Sequence, residues 1–469
     1  MAGALSAMIK QFISRVLGRR KQDTHNPRIF RADQHKIDRK SISSGAIRVC
    51  EGLHAEGYKA FVVGGAVRDL MLGRQPKDFD VATDATPEQV RAVFRRARII
   101  GRRFRLVHVM FGQETVEVST FRANHERSES DEDDARADEH GRLLRDNVFG
   151  SQEEDAIRRD FTVNALFYDP ERDEVWDYLS GVDDLKSRRL VMIGDPESRY
   201  REDPVRMLRA ARLAAKLGFK IDTKTQAPIA RLAPLLDNVP AARLFDELLK
   251  MLLSGQAAAC LARLRDLGLH RNLLPFLDDL FKDNSAKQFV ELALARTDER
   301  IAADKGVSPA FLLAALLWPL VDRRILAAER STLPQQVLWH EAMDGVLDEQ
   351  RRFLAIPRKL DATMKELWVS QPRFLQRGGG RPYRLLTHPR FRACYDFLVL
   401  RAEAGNVPME LADWWTRFQD ADEDTRKSML LQDDGPKKKR RRRGKRSAGA
   451  ADKSALGDAP SPTSTGDSG

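Results

Sequence analysis

The sequence predicts an α+β fold, with a small head of short strands and helices followed by an all-α remainder. Two observations favour this class. Residues 41 to about 190 mix short apolar runs with turn residues, whereas from Asp203 onward helical patterns dominate and no convincing strand is present. After Asp433 the chain turns to Lys and Arg and then to Ala, Ser, Pro and Gly, a composition that cannot bury enough surface to fold.

Composition shifts divide the 469 residues into five segments. We expect a polar N-terminal extension at 1–40, the head at 41–190, a helical neck at 191–255, a helical body at 256–432 and a disordered basic tail at 433–469. Helical spacing in the neck and body predicts helices over 241–253, 257–267, 285–296, 309–325, 334–354, 391–403 and 411–418.

Charge and cysteine content limit the classes of protein to which this sequence can belong. The net charge is +11, and residues 437–469 carry ten basic and three acidic groups, so this segment holds +7 of the total. Three widely spaced cysteines favour a reducing, cytoplasmic compartment. The basic residues expected to grip single-stranded RNA by charge are Lys437, Lys438, Lys439, Arg440, Arg441, Arg442 and Arg443.

Two other segments invite a functional interpretation. Residues 1–20 place apolar side chains at helical spacing among basic ones, which is typical of an amphipathic helix. Such a helix would contact a membrane surface, dock on the body or fray in solution, so peripheral membrane contact stays open. Residues 128–142 contain seven acidic residues, which indicate a solvated loop rather than a metal site because apolar support is lacking.

A glycine pair follows the first apolar strand of the head. Residues 61–63 form an aromatic and β-branched run that ends at Gly64 and Gly65, and helical spacing then runs over 66–72. Glycines let backbone N–H groups approach phosphate oxygens, and the start of the following helix adds positive partial charge. We expect Arg68 to lie near those oxygens.

Carboxylates follow this turn at close spacing. Strand alternation over residues 78–82 places Asp78 and Asp80 on one face, roughly 6 to 7 Å apart. Glu117 lies in a second alternating strand, 115–119, that can run beside the first. Oxygen ligands of this kind suit hard divalent cations. The order and spacing of the turn and the carboxylates therefore indicate a site for a nucleoside triphosphate with Mg²⁺.

Three ordered segments resemble motifs of the DNA polymerase β nucleotidyltransferase superfamily, in the branch that contains tRNA CCA-adding enzymes and bacterial poly(A) polymerases. They are residues 64–80, 157–166 and 201–209, and the similarity spans roughly residues 40–250. The resemblance implies a polymerase β-like head and transfer of a nucleotide to an RNA 3′ end. It also implies that two Mg²⁺ ions, ATP as substrate and the RNA 3′-hydroxyl meet at Asp78 and Asp80, with pyrophosphate leaving.

The resemblance assigns further roles in the second segment. Asp160 matches an active-site residue of the family, and Arg159 is expected to touch phosphate or ribose, although Arg158 can exchange roles with it. A third carboxylate is usual in such sites. Asp160 and Glu117 are both candidates, Asp160 as a catalytic residue and Glu117 as a metal ligand, and the choice stays open.

The third segment is implied to read the base. Asp203 and Pro204 have the pattern of a helix start, and Arg206 and Arg209 lie three residues apart on one face. In the family, residues matching Asp203 and Arg206 read the nucleotide. An accepting Asp with a donating Arg matches adenine and cytosine but leaves buried charges unpaired against guanine and uracil, at a cost of ~2 to 5 kcal/mol. The pair therefore does not choose between ATP and CTP.

Other features favour polyadenylation over the alternative, CCA addition to tRNA. Residues 99–109 resemble a segment typical of bacterial poly(A) polymerases, and a basic tail suits long, variable RNA. RNA-decay proteins are expected partners. A non-catalytic RNA-binding scaffold would not need Asp78 and Asp80, and a transferase acting on small molecules would not need the tail. Aromatic and basic clusters at 373–374, 381–384 and 390–392 are predicted either to line an RNA groove or, more simply, to pack between helices.

Overall fold

A computed structural model of the chain describes residues 26–101, 105–123, 135–137, 143–146, 148–328 and 332–431. The amphipathic segment 1–20 and the basic residues 437–443 lie outside the described residues. So does most of the acidic segment 128–142. Its described part, Ala135–Ala137, is a strand that pairs with Leu143–Asp146, rather than the loop expected from its charge.

The strands of the head form one large sheet. The strands of the chain are β1 Arg28–Arg31, β2 Ala60–Val63, β3 Asp80–Thr83, β4 Ala97–Ile100, β5 Leu106–Phe111, β6 Glu114–Thr120, β7 Ala135–Ala137, β8 Leu143–Asp146, β9 Leu166–Asp169, β10 Glu174–Asp177, β11 Arg189–Leu190 and β12 Lys220–Ile221. Eight of them follow the order β1-β10-β9-β2-β3-β6-β5-β4. Neighbours in this sheet are antiparallel except β3 and β6, which are parallel.

Helices surround the sheet and form the rest of the described chain. They are α1 Ala32–His35, α2 Ser44–Ala55, α3 Gly65–Met71, α4 Pro87–Val93, α5 Gln152–Arg158, α6 Gly181–Lys186, α7 Pro196–Glu202, α8 Val205–Leu217, α9 Thr223–Gln226, α10 Ile229–Leu232, α11 Ala241–Leu252, α12 Ala257–Asp266, α13 Leu277–Leu280, α14 Asn284–Ala302, α15 Pro309–Ala327, α16 Gln335–Arg351, α17 Arg358–Phe374, α18 Arg381–Leu386, α19 Phe391–Glu403, α20 Met409–Asp420 and α21 Glu423–Met429. The α+β class and the order of head before helical remainder are confirmed.

Side-chain alternation gives the sheet two different faces. Val62, Val81, Val107 and Val118 are buried against α2, α3 and α4, whose apolar residues share one core with them. The neighbouring residues on each strand point to the opposite face. We call that opposite face the open face. A second, smaller core around Phe167 covers the part of it that lies over β2 and β9.

The neck and body continue from the sheet. The two-residue strands β11 and β12 pair in parallel and link the end of the head to the end of α8. In the body, the apolar helix α15 is buried among α14, α16 and α17. The indole N–H of buried Trp368 donates a 3.1 Å hydrogen bond to the Ala314 carbonyl, which fixes α17 on α15.

The aromatic and basic clusters of the body pack between helices. Phe374 and Trp415 lie 5.0 Å apart and Tyr383 and Phe418 5.5 Å apart, measured between ring centres. Phe391 is also buried in this core. The simpler of the two interpretations of these clusters therefore describes the structure.

Other elements besides the strand 135–137 differ from the sequence-based expectations. The segment assigned to an N-terminal extension contributes β1, whose Phe30 is buried and which pairs with β10 at one edge of the sheet. Helix α17 was not expected, although its apolar residues Leu360, Met364, Leu367 and Trp368 have helical spacing. Strand β12 has only two residues, too few to show an alternation.

Among the residues that the structure describes, no helix combines the length and apolarity needed to cross a membrane.

Candidate active site

The glycine pair joins β2 to α3 as the sequence indicates. Gly64 has φ 70°, a left-handed conformation that favours glycine, and it caps α3, which begins at Gly65. The Gly64 N–H donates to the Leu166 carbonyl at 3.2 Å, so this donor is used within the sheet. A Cβ at Gly64 would lie 3.3 Å from Nη1 of Arg159. Gly64 therefore provides the sharp turn and the close approach of an arginine.

Arg68 lies beside the glycine turn and is paired inside the protein. Its side chain is buried, Nη1 donates to Oδ1 of Asn164 at 2.6 Å, and Nε donates to Oδ1 of Asp69 at 2.8 Å. These bonds tie α3 to the turn after Asp160. The guanidinium is paired inside the protein and also lies beside the turn, since a Cβ at Gly65 would lie 3.5 Å from its Nη2. Arg68 therefore supports the glycine turn, and its contact with a triphosphate stays a prediction.

Asp80 and Glu117 are brought side by side by the one parallel pair of the described sheet. Asp80 is the first residue of β3, and its Cα partner on β6 is Glu117. On the other side, the partner of Asp80 is Val63, the residue before the glycine pair. Asp78 lies in the loop just before β3 rather than in the strand, and its side chain is exposed. The glycine turn, Asp80 and Glu117 therefore lie next to one another on the open face, and Asp78 lies just outside the sheet.

The electrostatics of this carboxylate group are unfavourable without a cation. Partial desolvation of the Asp80 carboxyl, followed by the charge of Glu117, raises the pKa of Asp80 to about 6, and Asp78 adds to the shift. The guanidinium of Arg159 acts in the opposite direction but does not cancel it. Like charges that are held together in this way favour binding of a cation.

The donor set fits magnesium brought in with a nucleotide. Asp78, Asp80 and Glu117 offer carboxylate oxygens, the ligands that Mg²⁺ prefers. Among the described residues, no three His, Cys, Asp or Glu side chains are grouped closely enough to hold a metal ion by themselves. Mg²⁺ commonly takes one or two protein carboxylates and completes its shell with substrate phosphates and water. A cleft of about 440 Å³ borders Asp78 and is lined in part by Lys77, Gln113 and Thr115.

Arg159 stands between the glycine turn and the carboxylates. Its Nη2 donates to Oδ2 of Asp155 at 2.8 Å, and its guanidinium lies 5.1 Å from the centre of the Phe167 ring. Nη1 approaches Gly64 and donates to the Asn164 carbonyl at 3.4 Å. Arg159 therefore lies beside the glycine turn, and its contact with a phosphate or ribose stays a prediction.

Asp160 directly follows Arg159 in the sequence, but its bonds are to residues other than Asp78, Asp80 and Glu117. The side chain is buried, and Nη2 of Arg209 lies 2.7 Å from Oδ2. Oδ1 accepts hydrogen bonds from the Phe161 N–H at 2.8 Å and from Nδ2 of Asn164 at 3.1 Å. Although burial alone would raise it, the charge of Arg209 and these hydrogen bonds hold the pKa of Asp160 below its usual value. Asp160 is thus an ionised anchor for α8.

The two residues expected to read the base are both paired within the neck. Nη2 of Arg243, on α11, donates to Oδ2 of Asp203 at 2.6 Å. Nη1 of Arg206 donates to Oε2 of Glu202 at 2.6 Å. Oδ1 of Asp203 also accepts the Val205 N–H at 3.2 Å. Helix α8 begins at Val205 with Pro204 at the N-cap position, so the expected helix start, with Asp203 as the cap, is wrong by one residue.

Sequence reasoning missed several residues of this region. Asn164 bridges Arg68 and Asp160, Arg243 holds Asp203, and Glu202 holds Arg206. The spacing of Glu202 and Arg206, four residues apart, is a signal for an ion pair that the sequence does show. Arg243 lies 40 residues from Asp203, and nothing in the sequence connects the two.

Three family models match the chain. One, described as the poly A polymerase head domain, matches residues 60–191. A second, described as a probable RNA and SrmB-binding site of polymerase A, matches residues 218–281, and a third, described as the polymerase A arginine-rich C-terminus, matches residues 331–447. The matches follow the order of head, neck and body.

Curated relatives and solved structures agree with these matches. The chain is 47% identical over 408 residues to poly(A) polymerase I of Salmonella typhimurium, covering 86% of this chain and 88% of the relative. It is 38% identical over 208 residues to the CCA-adding enzyme of Enterococcus faecalis, covering 44% of this chain and 48% of that one. The crystal structure of the Bacillus stearothermophilus CCA-adding enzyme in complex with CTP is 26% identical, with a TM-score of 0.54, and the match covers 80% of this chain and 81% of that one.

Proposed function

This chain belongs to the poly(A) polymerase family, and from that premise we propose that it transfers AMP from ATP to RNA 3′ ends and releases pyrophosphate. The observation that carries the proposal is the pairing of Asp80 with Glu117 beside the Gly64–Gly65 turn. This geometry is combined with 47% identity to a poly(A) polymerase over 86% of the chain. A scaffold protein would gain nothing from clustered carboxylates that raise the pKa of Asp80.

We assign the metal site to Asp78, Asp80 and Glu117. Two Mg²⁺ ions held there would activate the attacking hydroxyl and neutralise the triphosphate. The raised pKa of Asp80 supports this assignment, since a bound cation would remove the repulsion that causes it. Between the two candidates for a third carboxylate, we choose Glu117, because Asp160 is bonded to Arg209 and Asn164.

Side chains around the glycine turn would hold the triphosphate. We propose that Gly64 and Gly65 admit the phosphates close to the backbone and that Arg159 contacts them or the ribose. Arg159 can do so while Asp155 orients it, because Asp155 uses Nε and Nη2 of the guanidinium. Arg68 would act indirectly by holding Asn164 under the turn. No covalent bond to the protein is required in such a transfer.

Selection of the base is assigned to Asp203 and Arg206. Their pattern of acceptor and donor accepts adenine and cytosine, and guanine or uracil would leave a charged group unpaired. Glu202 and Arg243 would hold the two side chains in place before the nucleotide arrives. Arg209 would anchor α8 to Asp160 and so place this pair next to the head.

The similarity of the helical body to known proteins favours polyadenylation over CCA addition. The CCA-adding relative covers 44% of this chain, whereas the poly(A) polymerase relative covers 86% of it and therefore includes most of the helical body. We propose single-stranded RNA as the acceptor, the cytoplasm as the location and RNA-decay proteins as partners. Membrane contact through residues 1–20 stays a separate proposal.

The basic residues 437–443 are proposed to hold RNA by charge. If each of the nine basic groups in 437–446 neutralises one phosphate, removing residues 437–469 lowers the slope of log affinity against log salt by up to ~6. An unchanged slope would show that this segment does not grip RNA.

Nucleotide incorporation tests the proposed function directly. Purified protein is given each labelled nucleoside triphosphate together with either an unstructured RNA or a tRNA that lacks its 3′ end. Long tails made of A alone on the unstructured RNA are expected. Addition that stops after C, C and A on the tRNA would overturn the proposal in favour of CCA addition.

A further inference from the structure

The open face continues past the carboxylates to the edge of the sheet. Strand register places Asp80 opposite Glu117, Glu117 opposite His108, and His108 opposite Arg98. These four residues form a single row across β3, β6, β5 and β4. With about 4.8 Å between strands, the row extends roughly 14 Å from Asp80 to Arg98, the scale of a nucleotide with its flanking phosphate.

His108 belongs to residues 99–109, the segment that resembles a poly(A) polymerase segment, and Arg98 directly precedes that segment. Its described parts belong to the β4–β5 hairpin, and Val107 and Val109 are buried against the helices on the other face. The alternation leaves Leu106, His108 and Met110 partly exposed on the open face. The hairpin therefore presents two apolar side chains and an imidazole next to Glu117, a surface on which a nucleotide can lie.

The charge of this surface matches an anion. Arg95, Arg96 and Arg98 are exposed at or beside the edge strand β4. Among the described residues, Arg98 takes part in no ion pair, in contrast to the paired arginines of the neck. His108 and Glu117 keep 36% and 43% of their side-chain surface exposed, and the His108 Nε2 to Glu117 Oε2 distance is 3.6 Å. Positive groups thus lie on the far side of the carboxylates from the glycine turn.

We propose that the open face of the β4–β5 hairpin binds the 3′-terminal segment of the acceptor RNA, with Arg98 contacting a backbone phosphate and His108 contacting the terminal nucleotide. The inference rests on the proposed function. The triphosphate turn occupies the β2 side of Asp80, so an acceptor hydroxyl must arrive from another side. The β6–β5–β4 side continues from the carboxylates with a row of suitable chemistry, and the tail 437–443 would hold RNA farther from its end.

Steady-state kinetics of Arg98→Ala test the phosphate contact. The variant is expected to raise the KM for a short oligoadenylate roughly tenfold while leaving the KM for ATP and kcat at saturating RNA near the wild-type values. Arg91→Ala is the matched control, because Arg91 is an exposed arginine on α4, on the other side of the sheet, and should change neither constant. Equal effects of the two variants, or a matching rise in the KM for ATP, would overturn the proposal.

Neutral backbone linkages locate the contact. Three oligoadenylates are used, each with a neutral methylphosphonate at a different one of the last three linkages. Each is assayed with the wild type and with Arg98→Ala. At one linkage the neutral group should raise the KM of the wild type and have no further effect on the variant. Additive effects at every linkage would show that Arg98 touches none of these phosphates.

Substitution of His108 tests the other half of the row. His108→Ala is expected to raise the KM for the oligonucleotide at least threefold, and His108→Gln, which keeps a donor near the Nε2 position, is expected to recover most of the loss. Thermal unfolding of both variants serves as the check on folding. If the variants keep the wild-type KM for RNA while tails of A still form, the inference fails and the proposed function stands; if the wild type makes no such tails, the proposed function itself fails.

Discussion

The head and the neck handle their charges in opposite ways. On the open face of the head, Asp80 lies beside Glu117 and near Asp78, and this crowding of like charges, after desolvation, raises the pKa of Asp80 to about 6. In the neck, Asp160 is paired with Arg209 and Asp203 with Arg243, at 2.7 and 2.6 Å. Each of these neck acids is paired with an arginine, whereas Asp80 has another acid, Glu117, as its neighbour.

This difference separates residues that bind a ligand from residues that hold the scaffold in place. An acid that costs stability when it stands alone indicates a ligand that compensates for it, and the ligand proposed for the head acids is a cation with a triphosphate. An acid that is already paired inside the protein sets the position of a helix or of a base-reading group. Substitution of a ligand-binding acid should mainly lower activity, whereas substitution in an internal pair should mainly lower stability or change base selection.

The largest expected effect is on catalysis by the head. Asp80→Asn should lower kcat by at least about 10³-fold, equivalent to ~4 kcal/mol, because it removes a proposed metal ligand. RNA binding and the melting temperature should stay at or above the wild-type values. The measurement is primer extension together with RNA binding and thermal unfolding.

Asp84→Asn is the matched control for that prediction. Asp84 follows β3, and its Oδ1 accepts the Lys59 N–H at 2.8 Å, a bond that an asparagine can keep. Its activity should equal that of the wild type. A drop in melting temperature for Asp80→Asn would place Asp80 in the structural class and break the contrast between head and neck.

The next largest effect is on the stability of the neck. Arg209→Ala leaves Asp160 buried without its countercharge, which should lower the free energy of unfolding by about 3 kcal/mol. Urea denaturation measures this change, and adding Asp160→Asn to Arg209→Ala should restore part of it because the buried charge is then removed. Full stability of Arg209→Ala would contradict the assignment of the pair as an anchor.

A smaller effect is expected on nucleotide choice. Arg243→Ala frees the Asp203 carboxylate, so the ratio of kcat/KM for ATP to that for GTP should fall roughly tenfold, equivalent to ~1.4 kcal/mol. Arg231→Ala is the control, since it breaks only an exposed pair with Glu197 and should leave the ratio unchanged. A loss of activity with an unchanged ratio would mean that Arg243 supports folding rather than selection.

The smallest effect is a pH dependence of stability in the head. The folded pKa of Asp80, about 6, lies above its ordinary value of 3.8, so the folded protein binds the proton more tightly and loses stability as pH rises from 4 to 6. Without Mg²⁺, Asp80→Asn should therefore become more stable than the wild type over this window, by on the order of 1 kcal/mol once solvent screening is allowed for. Denaturant unfolding at pH 4 and pH 7 measures the difference. A difference that does not grow with pH would show that Asp80 is not crowded.

Local patterns made most of the fold predictable. Helix α19 begins and ends where its spacing predicts, at Phe391 and Glu403, and the glycine turn and the parallel strand beside Asp80 also match the expectation. Helix α17 was missed although its apolar residues have helical spacing. Strand β1 was not predicted because it is a short edge strand in a polar segment, and its pairing with distant β10 decides its structure.

The site was predicted less completely than the fold. Residue types and spacing identified Asp78, Asp80 and Glu117 as candidates, but not that Arg68 and Asp160 would be paired within the protein. Those pairs join residues far apart in the sequence, such as Arg68 with Asn164 and Asp160 with Arg209. The row from Asp80 to Arg98 was also missed, since it depends on the register of four strands rather than on any one of them.

The parallel register of β3 and β6 limits which insertions and deletions the chain can tolerate. One added residue between Glu114 and Glu117 would turn every later side chain of β6 over, so that Glu117 would point into the valine core and Val118 into water. Two added residues would restore the facing but shift Glu117 by roughly 7 Å along the strand, out of reach of Asp80. Length changes are therefore expected in the loops before and after this strand pair and not within it.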